Sequence, residues 1–494
     1  MVRSYKKLIS NYFKEHSFVE SNIHSFNRFA EKDLQRIVDE VGEVVPTIIP
    51  QEFENYKIKL SGVKIGMPEI TEADGSRRIL LPREARLRHL TYAAPISITV
   101  SAHINGVQRE SFVTEIGKLP VMLKSKFCHL TNMKEEELIK AGEDPADVGG
   151  YFILNGNERV LIAVEDLASN KLFIKKAASG PSKFTAKLYS EQTNYRIPHT
   201  LEQMKDGILH LSFARFRRVP IISLIKALGL VKDQDIMQYI STEKIYDDVI
   251  LNIYESRELK NQDEAVEFLA KRIGLTQKEL RAERTLEQLD RYLLPHLGMT
   301  SKDRMTKAYN LCKLIKRFIL VATEGAKTSD QDHYVNKRLK LSGDLLEDLF
   351  RVNMRSLVQD MLYNFQRLVK RGKFNSIRIV IREQLLSSRI KSAMATGSWP
   401  GGRTGISQNI SRTNAVDATS HLQRVVSLLT SSQENFEARA LHSTHWGRLC
   451  PVETPEGTPI GLRKNLAMLA SITEAEVSND KIIKQLETLG LKKW

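Results

Sequence analysis

Residues 442–461 hold the side chains best suited to chemistry in this chain. The run contains two histidines, one cysteine and two glutamates, together with three prolines and three glycines. His442, His445 and Cys450 could bind zinc, but no fourth ligand stands at a suitable spacing, so we expect no metal site. The prolines fix the backbone, and the glycines reach conformations that other residues avoid. A stiff polar loop of this kind predicts a ligand-binding surface.

No other pattern in the sequence supplies a complete catalytic centre. Neither a GxxxxGK(S/T) phosphate loop nor a GxGxxG dinucleotide fingerprint is present. Asp330 and Asp332 have the spacing of a magnesium-binding pair. Three cations follow between residues 337 and 340, and ion pairing with them is favoured over metal binding. We therefore expect no catalytic residue and no bound cofactor in this chain alone.

The basic residues are concentrated in one segment. The net charge is +15, from 74 basic and 59 acidic residues, and residues 367–424 hold eleven Lys and Arg against two acids. A one-sided cluster favours nucleic acid as the partner over an acidic protein. Lys391, Arg403 and Arg412 are predicted to line this basic cleft. The glycine-rich run 394–405 could hold phosphate through its backbone amides, or it could be a plain connector.

The bulk composition is that of a soluble globular chain. It is 41% hydrophobic and 27% charged, and 494 residues suffice for about three domains. No run of about 18 apolar residues occurs, and no apolar core follows the basic N-terminus. We therefore predict no membrane segment and no secretory signal. Cys128, Cys312 and Cys450 are too far apart for a zinc pair or a disulfide framework, which favours the reducing cytoplasm.

The hydrophobic periodicity predicts an α+β protein with several mixed domains. Apolar residues at helical spacing predict helices over residues 17–43, 265–273, 301–323 and 344–371. Ser301 is the predicted N-cap of the third helix. Alternation predicts strands over residues 56–60 and 96–101. Asn155-Gly156, between two apolar runs, is the strongest hairpin signal in the chain.

Four segments resemble the second-largest subunit of multisubunit DNA-dependent RNA polymerases, most closely its archaeal and eukaryotic branch. Residues 442–461 resemble that family's His-x-Thr-His-(Trp/Tyr)-Gly-x-x-Cys-Pro-x-Glu-Thr-Pro-Glu-Gly string. Residues 81–92 resemble its Pro-x-Glu-Ala-Arg-x-Arg-x-Leu-Thr-Tyr segment, and residues 149–160 its Gly-Gly-Tyr-Phe-Ile-x-Asn-Gly-x-Glu string. Residues 332–339 resemble its Asp-His-x-x-x-Lys-Arg-Leu string. The resemblance therefore covers nearly the whole chain.

The resemblance implies a fixed order of domains. These are the first part of a protrusion (1–165), an inserted lobe (166–300), the second part of the protrusion (301–394) and a fork region (395–494). It also implies that Gln408 lines the RNA path near the growing end. His421 and Arg424 fall in the segment that forms the rifamycin pocket in bacterial relatives.

The resemblance places four further residues near the active centre. Arg439 matches a fork-loop arginine at its downstream edge, while Glu453, Pro455 and Glu456 match the loop beside the nucleotide site. The sequence departs from the family at residues 430–438, the second fork loop, which is shorter and less glycine-rich than in eukaryotic relatives. The contacts of that loop are therefore not carried over.

The resemblance implies that the chain forms one side of the DNA cleft in a multisubunit nucleotidyltransferase. Mg²⁺ would be held by the largest subunit, and this chain would meet the DNA template, the RNA–DNA hybrid and ribonucleoside triphosphates. The motifs stop partway through the family's subunit, so we expect the N-terminal half, as in archaea that divide the subunit into B'' and B'. A shortened chain is the alternative.

The expected protein partners are the C-terminal half B', the largest subunit and smaller subunits. The alternative function, from another class, is a non-enzymatic basic scaffold that binds nucleic acid. Such a scaffold would be a stable monomer, whereas half of a divided subunit would expose a large interface.

Overall fold

The chain folds into mixed helices and strands, which confirms the α+β prediction. The computed structural model describes residues 2–50, 52–177, 180–192, 195–241, 246–274, 280–326, 328–374, 376–429, 434–473 and 479–491. Of the predicted second fork loop, residues 430–433 lie outside the described residues. Among the residues described, no helix combines the length and the apolar character needed to cross a membrane.

The helices of the described residues vary from one turn to eight turns. They are α1 (Val2–Glu15), α2 (Glu20–Arg28), α3 (Leu34–Val41), α4 (Pro82–Leu87), α5 (Glu135–Ala141), α6 (Ile221–Ala227), α7 (Asp233–Ile240), α8 (Asp247–Glu255), α9 (Gln262–Ile273), α10 (Arg281–Tyr292), α11 (Arg304–Thr323), α12 (Ser342–Lys370), α13 (Glu383–Thr396), α14 (Ala415–Leu422), α15 (Phe436–Arg439) and α16 (Asn479–Thr488).

The strands of the described residues form several small sheets. They are β1 (Glu43–Val44), β2 (Tyr56–Ile65), β3 (Glu69–Thr71), β4 (Arg77–Ile79), β5 (Ala93–Ile104), β6 (Val107–Pro120), β7 (Phe152–Leu154), β8 (Asn157–Leu161), β9 (Ala163–Leu167), β10 (Leu172–Lys176), β11 (Ser182–Gln192), β12 (Tyr195–Met204), β13 (Leu209–Phe213), β14 (Phe216–Pro220), β15 (Lys337–Lys340), β16 (Ser407–Asn409), β17 (Arg424–Ser427) and β18 (Arg463–Asn465).

Two units of the chain hold most of their contacts within themselves. The first combines Met1–Asp166 with Leu339–Trp494, and the second is Leu167–Arg338. The second unit is a five-stranded antiparallel meander, β10 to β14, with its core completed by helices α6 to α11. Family domains are not defined by contacts alone, so the predicted protrusion, lobe and fork boundaries stay a prediction.

The first unit is built on a long antiparallel sheet and one long helix. The sheet has the order β1-β2-β5-β6. Helix α12 buries residues at its predicted apolar positions, among them Leu345, Met354 and Phe365. Its side chains join the core formed by the sheet and by helices α2 and α3. The predicted helix 344–371 is confirmed, because a helical apolar stripe of this length has no competing strand pattern.

Two small sheets of the first unit carry the predicted site residues. In one, β16 pairs antiparallel with β8, which also pairs with β7. In the other, β17 pairs parallel with β9 and antiparallel with β18. The hairpin of β7 and β8 turns at Asn155-Gly156 with φ of 50° and 79°. Positive φ at both residues is the geometry that an Asn-Gly pair favours, so the predicted hairpin is confirmed.

The predicted start of one helix is wrong. Ser301 does not cap α11, which begins at Arg304 after a 3₁₀ turn over Ser301–Asp303. Thr300 caps this turn instead, because its backbone N–H and its hydroxyl both donate to the Asp303 carboxylate, at 3.0 and 2.6 Å. A Thr-x-x-Asp capping pattern competed successfully with the single serine next to it.

Candidate nucleic-acid interface

Gln408 and His421 are brought together from a strand and a helix end. Gln408 lies in β16 opposite Val160 of β8, and His421 lies in the last turn of α14. The Gln408 Nε2 donates to the Gly405 carbonyl at 2.9 Å, and its Oε1 lies 3.3 Å from the His421 Nε2. The sequence separation of 13 residues gave no sign of this contact.

The hydrogen bonds of His421 define its protonation state. The Ser411 backbone N–H donates to Nδ1 at 3.0 Å, so Nδ1 is an acceptor and Nε2 carries the proton toward Gln408. Burial lowers the pKa of His421, and the nearby Arg424 and Arg463 lower it further, while Asp417 raises it. The net shift is downward, so the imidazole is neutral near pH 7 and fixes the geometry between the two segments.

The loop at Glu453 is tied to the same region. Arg424 begins β17, and its strand partner is Asn465 of β18. The Asn465 Nδ2 donates to the carbonyl and to the hydroxyl of Ser420, at 2.8 and 2.9 Å. The Ser420 hydroxyl in turn donates to the Glu453 carboxylate. Helix α14, strand β18 and the 442–461 loop therefore share one hydrogen-bond network.

Arg439 holds the far side of this loop. Its Nη1 donates to the carbonyls of Thr458 and Ile460, at 2.6 and 3.0 Å. Gly461 has φ of +71°, and a Cβ there would stand 2.2 Å from the Arg439 carbonyl oxygen. Only glycine fits that position. The Thr454 hydroxyl also accepts from the Gly461 N–H at 2.9 Å, which closes the loop.

The other two residues predicted for this loop differ in exposure. Pro455 is half-buried, while Glu456 is exposed and has no hydrogen bond or ion pair among the residues described. His442 Nδ1 lies 2.6 Å from the Thr444 hydroxyl, and the buried His445 ring lies 6.2 Å from the His442 ring. Within the described part of the chain, no three His, Cys, Asp or Glu side chains gather in a way that could hold a metal ion.

The residues predicted for the basic cleft do not share one environment. Lys391 is exposed on α13. The Arg403 guanidinium lies 3.4 Å from both Asp166 and Asp348. Protein carboxylates therefore already satisfy much of the charge of Arg403.

Arg412 is the centre of a second cluster of charges. Its Nε lies 2.8 Å from Glu158 and its Nη2 lies 3.1 Å from Asp147. Its guanidinium also stands over the Tyr151 ring, 5.0 Å from the centroid. Glu158 is shared with Arg86, at 2.8 Å. This cluster joins the β7–β8 hairpin to the segment that carries Ser411, and thus to His421.

One cation beside these residues was not predicted from the sequence. Arg463 begins β18 and stands opposite Val426 of β17, two residues from Arg424. It lies just after the 442–461 run, in an Arg-Lys-Asn sequence that carries no motif of its own. Only the register of β17 and β18 brings it next to Arg424.

Comparisons with known proteins agree over nearly the whole chain. A family model described as RNA polymerase beta subunit matches residues 17–390, and one described as RNA polymerase Rpb2, domain 3, matches residues 408–472. The chain is 43% identical to the DNA-directed RNA polymerase subunit Rpo2N of Methanocaldococcus jannaschii, over 98% of this chain and 99% of that protein. It is 38% identical to Rpo2N of Halobacterium salinarum, over 99% and 96%.

A longer relative shows the same similarity over part of its length. The chain is 41% identical to the DNA-directed RNA polymerase subunit Rpo2 of Saccharolobus shibatae, over 98% of this chain and 43% of that protein. The chain thus spans less than half of the length of this relative, and nearly all of the length of the Rpo2N proteins.

Proposed function

This chain belongs to the RNA polymerase beta-subunit family, as the N-terminal half of the second-largest subunit, and from that premise we propose its role in transcription. It forms one side of the DNA cleft and the fork near the active centre of a DNA-directed RNA polymerase. The observation that carries this proposal is the match to Rpo2N proteins over almost their full length, together with the four predicted residues, Gln408, His421, Arg424 and Glu453, that lie in adjoining contacts.

The contribution of this chain to catalysis is positioning and electrostatics. Glu453 accepts from Ser420, and Arg439 donates to the backbone of the loop, so the loop is held before any substrate arrives. Preorganised groups of this kind favour the reactive geometry because their ordering cost is met in advance. The template, the RNA–DNA hybrid and the ribonucleoside triphosphates are the ligands we assign to this surface.

The catalytic Mg²⁺ is assigned to the largest subunit. Magnesium prefers several oxygen ligands in octahedral geometry. The described residues of this chain offer no carboxylate cluster of that kind. Glu453 and Glu456 are not part of such a cluster, so no step of the reaction is assigned to a metal ion bound by this chain.

The proposed partners are the remainder of the second-largest subunit, the largest subunit and the smaller subunits, in the cytoplasm. A basic nucleic-acid-binding scaffold is not favoured, because relatives that match the whole chain are polymerase subunits. The test is to tag this chain in the cells that make it and purify it under gentle lysis. Stoichiometric recovery of the other polymerase subunits is expected, and recovery of an isolated monomer would overturn the proposal.

A further inference from the structure

Several cations near the predicted RNA path already have carboxylate partners. Arg403 and Arg412 each lie between two acids, as described above. Lys464 is buried, and its Nζ lies 3.0 Å from the equally buried carboxylate of Glu165. A phosphate would have to compete with these carboxylates for the same donors. These three residues are therefore poor candidates for binding a nucleic-acid backbone.

Arg424 and Arg463 lie on one face of the sheet that carries the site. Arg424 is opposite Asn465, and Arg463 is opposite Val426. Opposed residues of an antiparallel pair share a face, so both arginines stand on the face opposite to that of the buried Val425 and Lys464. Diagonal neighbours of this kind are about 7–8 Å apart. This distance is close to the spacing of successive phosphates along a strand, so two neighbouring phosphates could be bound.

Both guanidiniums are available within the described residues. Neither has a hydrogen bond or an ion pair to another described side chain or carbonyl; Arg463 is exposed, and Arg424 is half-exposed. The backbone of Arg463 is nevertheless fixed. Its N–H donates to the Pro459 carbonyl at 3.3 Å, and its carbonyl accepts from the Thr454 hydroxyl at 3.0 Å. The anchored backbone fixes the position from which the open guanidinium can reach a ligand.

The electrostatic field at this face is positive. Arg424 and Arg463 both lower the pKa of His421, so the charges of both reach the imidazole. His421 itself stays neutral, so the positive charge beside this face comes from the two arginines. The nearby Glu453 and Asp417 carboxylates accept from the hydroxyls of Ser420 and Ser411.

We propose that Arg424 and Arg463 form a two-arginine site for the phosphodiester backbone of the RNA strand. The inference rests on the proposed function and goes beyond it by naming Arg463 as a phosphate ligand. Arginine suits this role because its planar fork can donate two hydrogen bonds to one phosphate. The contact reads no base, so it positions the strand beside Gln408 and His421 without sequence preference.

The test measures how salt weakens binding of an RNA–DNA hybrid scaffold to polymerase assembled with this chain. Each phosphate contact contributes about 0.7–0.9 to the slope of log K against log salt. Arg463→Gln and Arg424→Gln should each lower the slope by about that amount, and Arg463→Lys should keep it. Arg78→Gln is the matched control, because it removes an equal charge from an arginine already paired with Glu72 and Glu84.

Subunit stoichiometry is measured for every variant, and Arg463→Met replaces Arg463→Gln if the latter assembles poorly. An unchanged slope for the neutral Arg463 variants, or an equal fall for Arg78→Gln, would overturn the proposal. A fall that appears with duplex DNA and not with the hybrid would also overturn it, since the site would then bind DNA. If the wild-type complex neither binds the scaffold nor extends its RNA, the proposed function fails as well.

Discussion

Arg439 contacts the loop that carries three of the predicted site residues. Its Nη1 donates to two carbonyls of this loop, on which Glu453, Pro455 and Glu456 lie. Glu456 is different, because it is exposed and has no partner among the described residues. The two residues were predicted together from the resemblance, and the structure separates what each can do. One braces the loop, and the other is open to a ligand.

Arg439→Ala should slow single-nucleotide addition by roughly 10–100-fold, because a shift of about 1 Å in positioning groups has that cost. Backbone hydrogen exchange of residues 453–461 should speed up in the same variant. Glu456→Ala should slow addition without changing the exchange, and Pro455→Ala should have the mildest effect because it removes no charge. The addition rate of each variant is measured on a preformed hybrid scaffold, and subunit assembly is checked in parallel. Wild-type rates for Arg439→Ala and Glu456→Ala would remove them from the site.

The pH response of His421 follows from its environment. Since the pKa of His421 is lowered in the fold, its neutral form is favoured, and the folded state gains stability above the ordinary histidine value near 6.5. This contribution is lost as the pH falls through the lowered pKa. Arg424→Gln or Arg463→Gln should raise the pKa of His421, because each removes a nearby positive charge.

The measurement is an NMR titration of histidine-labelled full-length chain, with His421→Gln used to assign the signal. Arg78→Gln serves as a control of equal charge change and should leave this pKa unaltered. A His421 pKa at or above the ordinary value would contradict the described burial of His421 and its closeness to Arg424 and Arg463.

Among the helices and strands, two predictions from local sequence patterns are confirmed. The Asn155-Gly156 hairpin and helix α12 are confirmed, since each depends on neighbours in sequence. The start of α11 was missed because Thr300 and Asp303 form a stronger cap than Ser301. The parallel pairing of β9 with β17 joins segments some 260 residues apart, and no local pattern predicts such a contact.

The same limit applies to the candidate site. The resemblance supplied the residues, but their contacts depend on tertiary pairing. Arg412 was predicted as a cation of the cleft, and it lies between Glu158 of the hairpin and Asp147. Arg463 was not predicted at all, because an isolated Arg-Lys-Asn sequence carries no sign of the strand beside it. The presence of an arginine in the sequence does not show whether its guanidinium is paired with a carboxylate or is available to a ligand.

Arg412→Gln tests whether this arginine cross-links two elements. It should destabilise the chain by about 1 kcal/mol, because a partly exposed pair is screened by solvent. Hydrogen exchange should rise in β7, β8 and residues 407–413. Arg412→Lys should recover part of the loss, since a single ammonium cannot reproduce the fork geometry. Unchanged exchange in Arg412→Gln, with a smaller salt slope for nucleic acid, would show that Arg412 binds phosphate instead.

At the scale of the whole molecule, the chain divides into a discontinuous unit and one inserted between its parts. The lobe boundaries of 166–300 stay a prediction, and the second contact-defined unit is Leu167–Arg338. Helix α11 belongs to this unit because it buries Leu311, Ile315 and Phe318 in the unit's core. The sequence could show that α11 is amphipathic, but not which core its apolar face joins.

The ion pairs of the described residues show where part of the basic excess behind the net charge of +15 is neutralised. Part of the basic excess is paired within the chain, at Arg403, Arg412 and Lys464. The open part includes the Arg424 and Arg463 pair. Composition therefore predicted a polyanion partner, and the ion pairs indicate which cations remain available for it.

We propose that this chain is a necessary part of a template-directed RNA polymerase. The most direct measurement is RNA extension on a preformed hybrid scaffold by polymerase assembled from its separate subunits, with and without this chain. We predict that extension requires the chain and returns in proportion to the amount added, while the Arg439→Ala chain assembles but extends slowly. Equal extension in the absence of the chain, with all other subunits present, would show that the chain is not required for transcription.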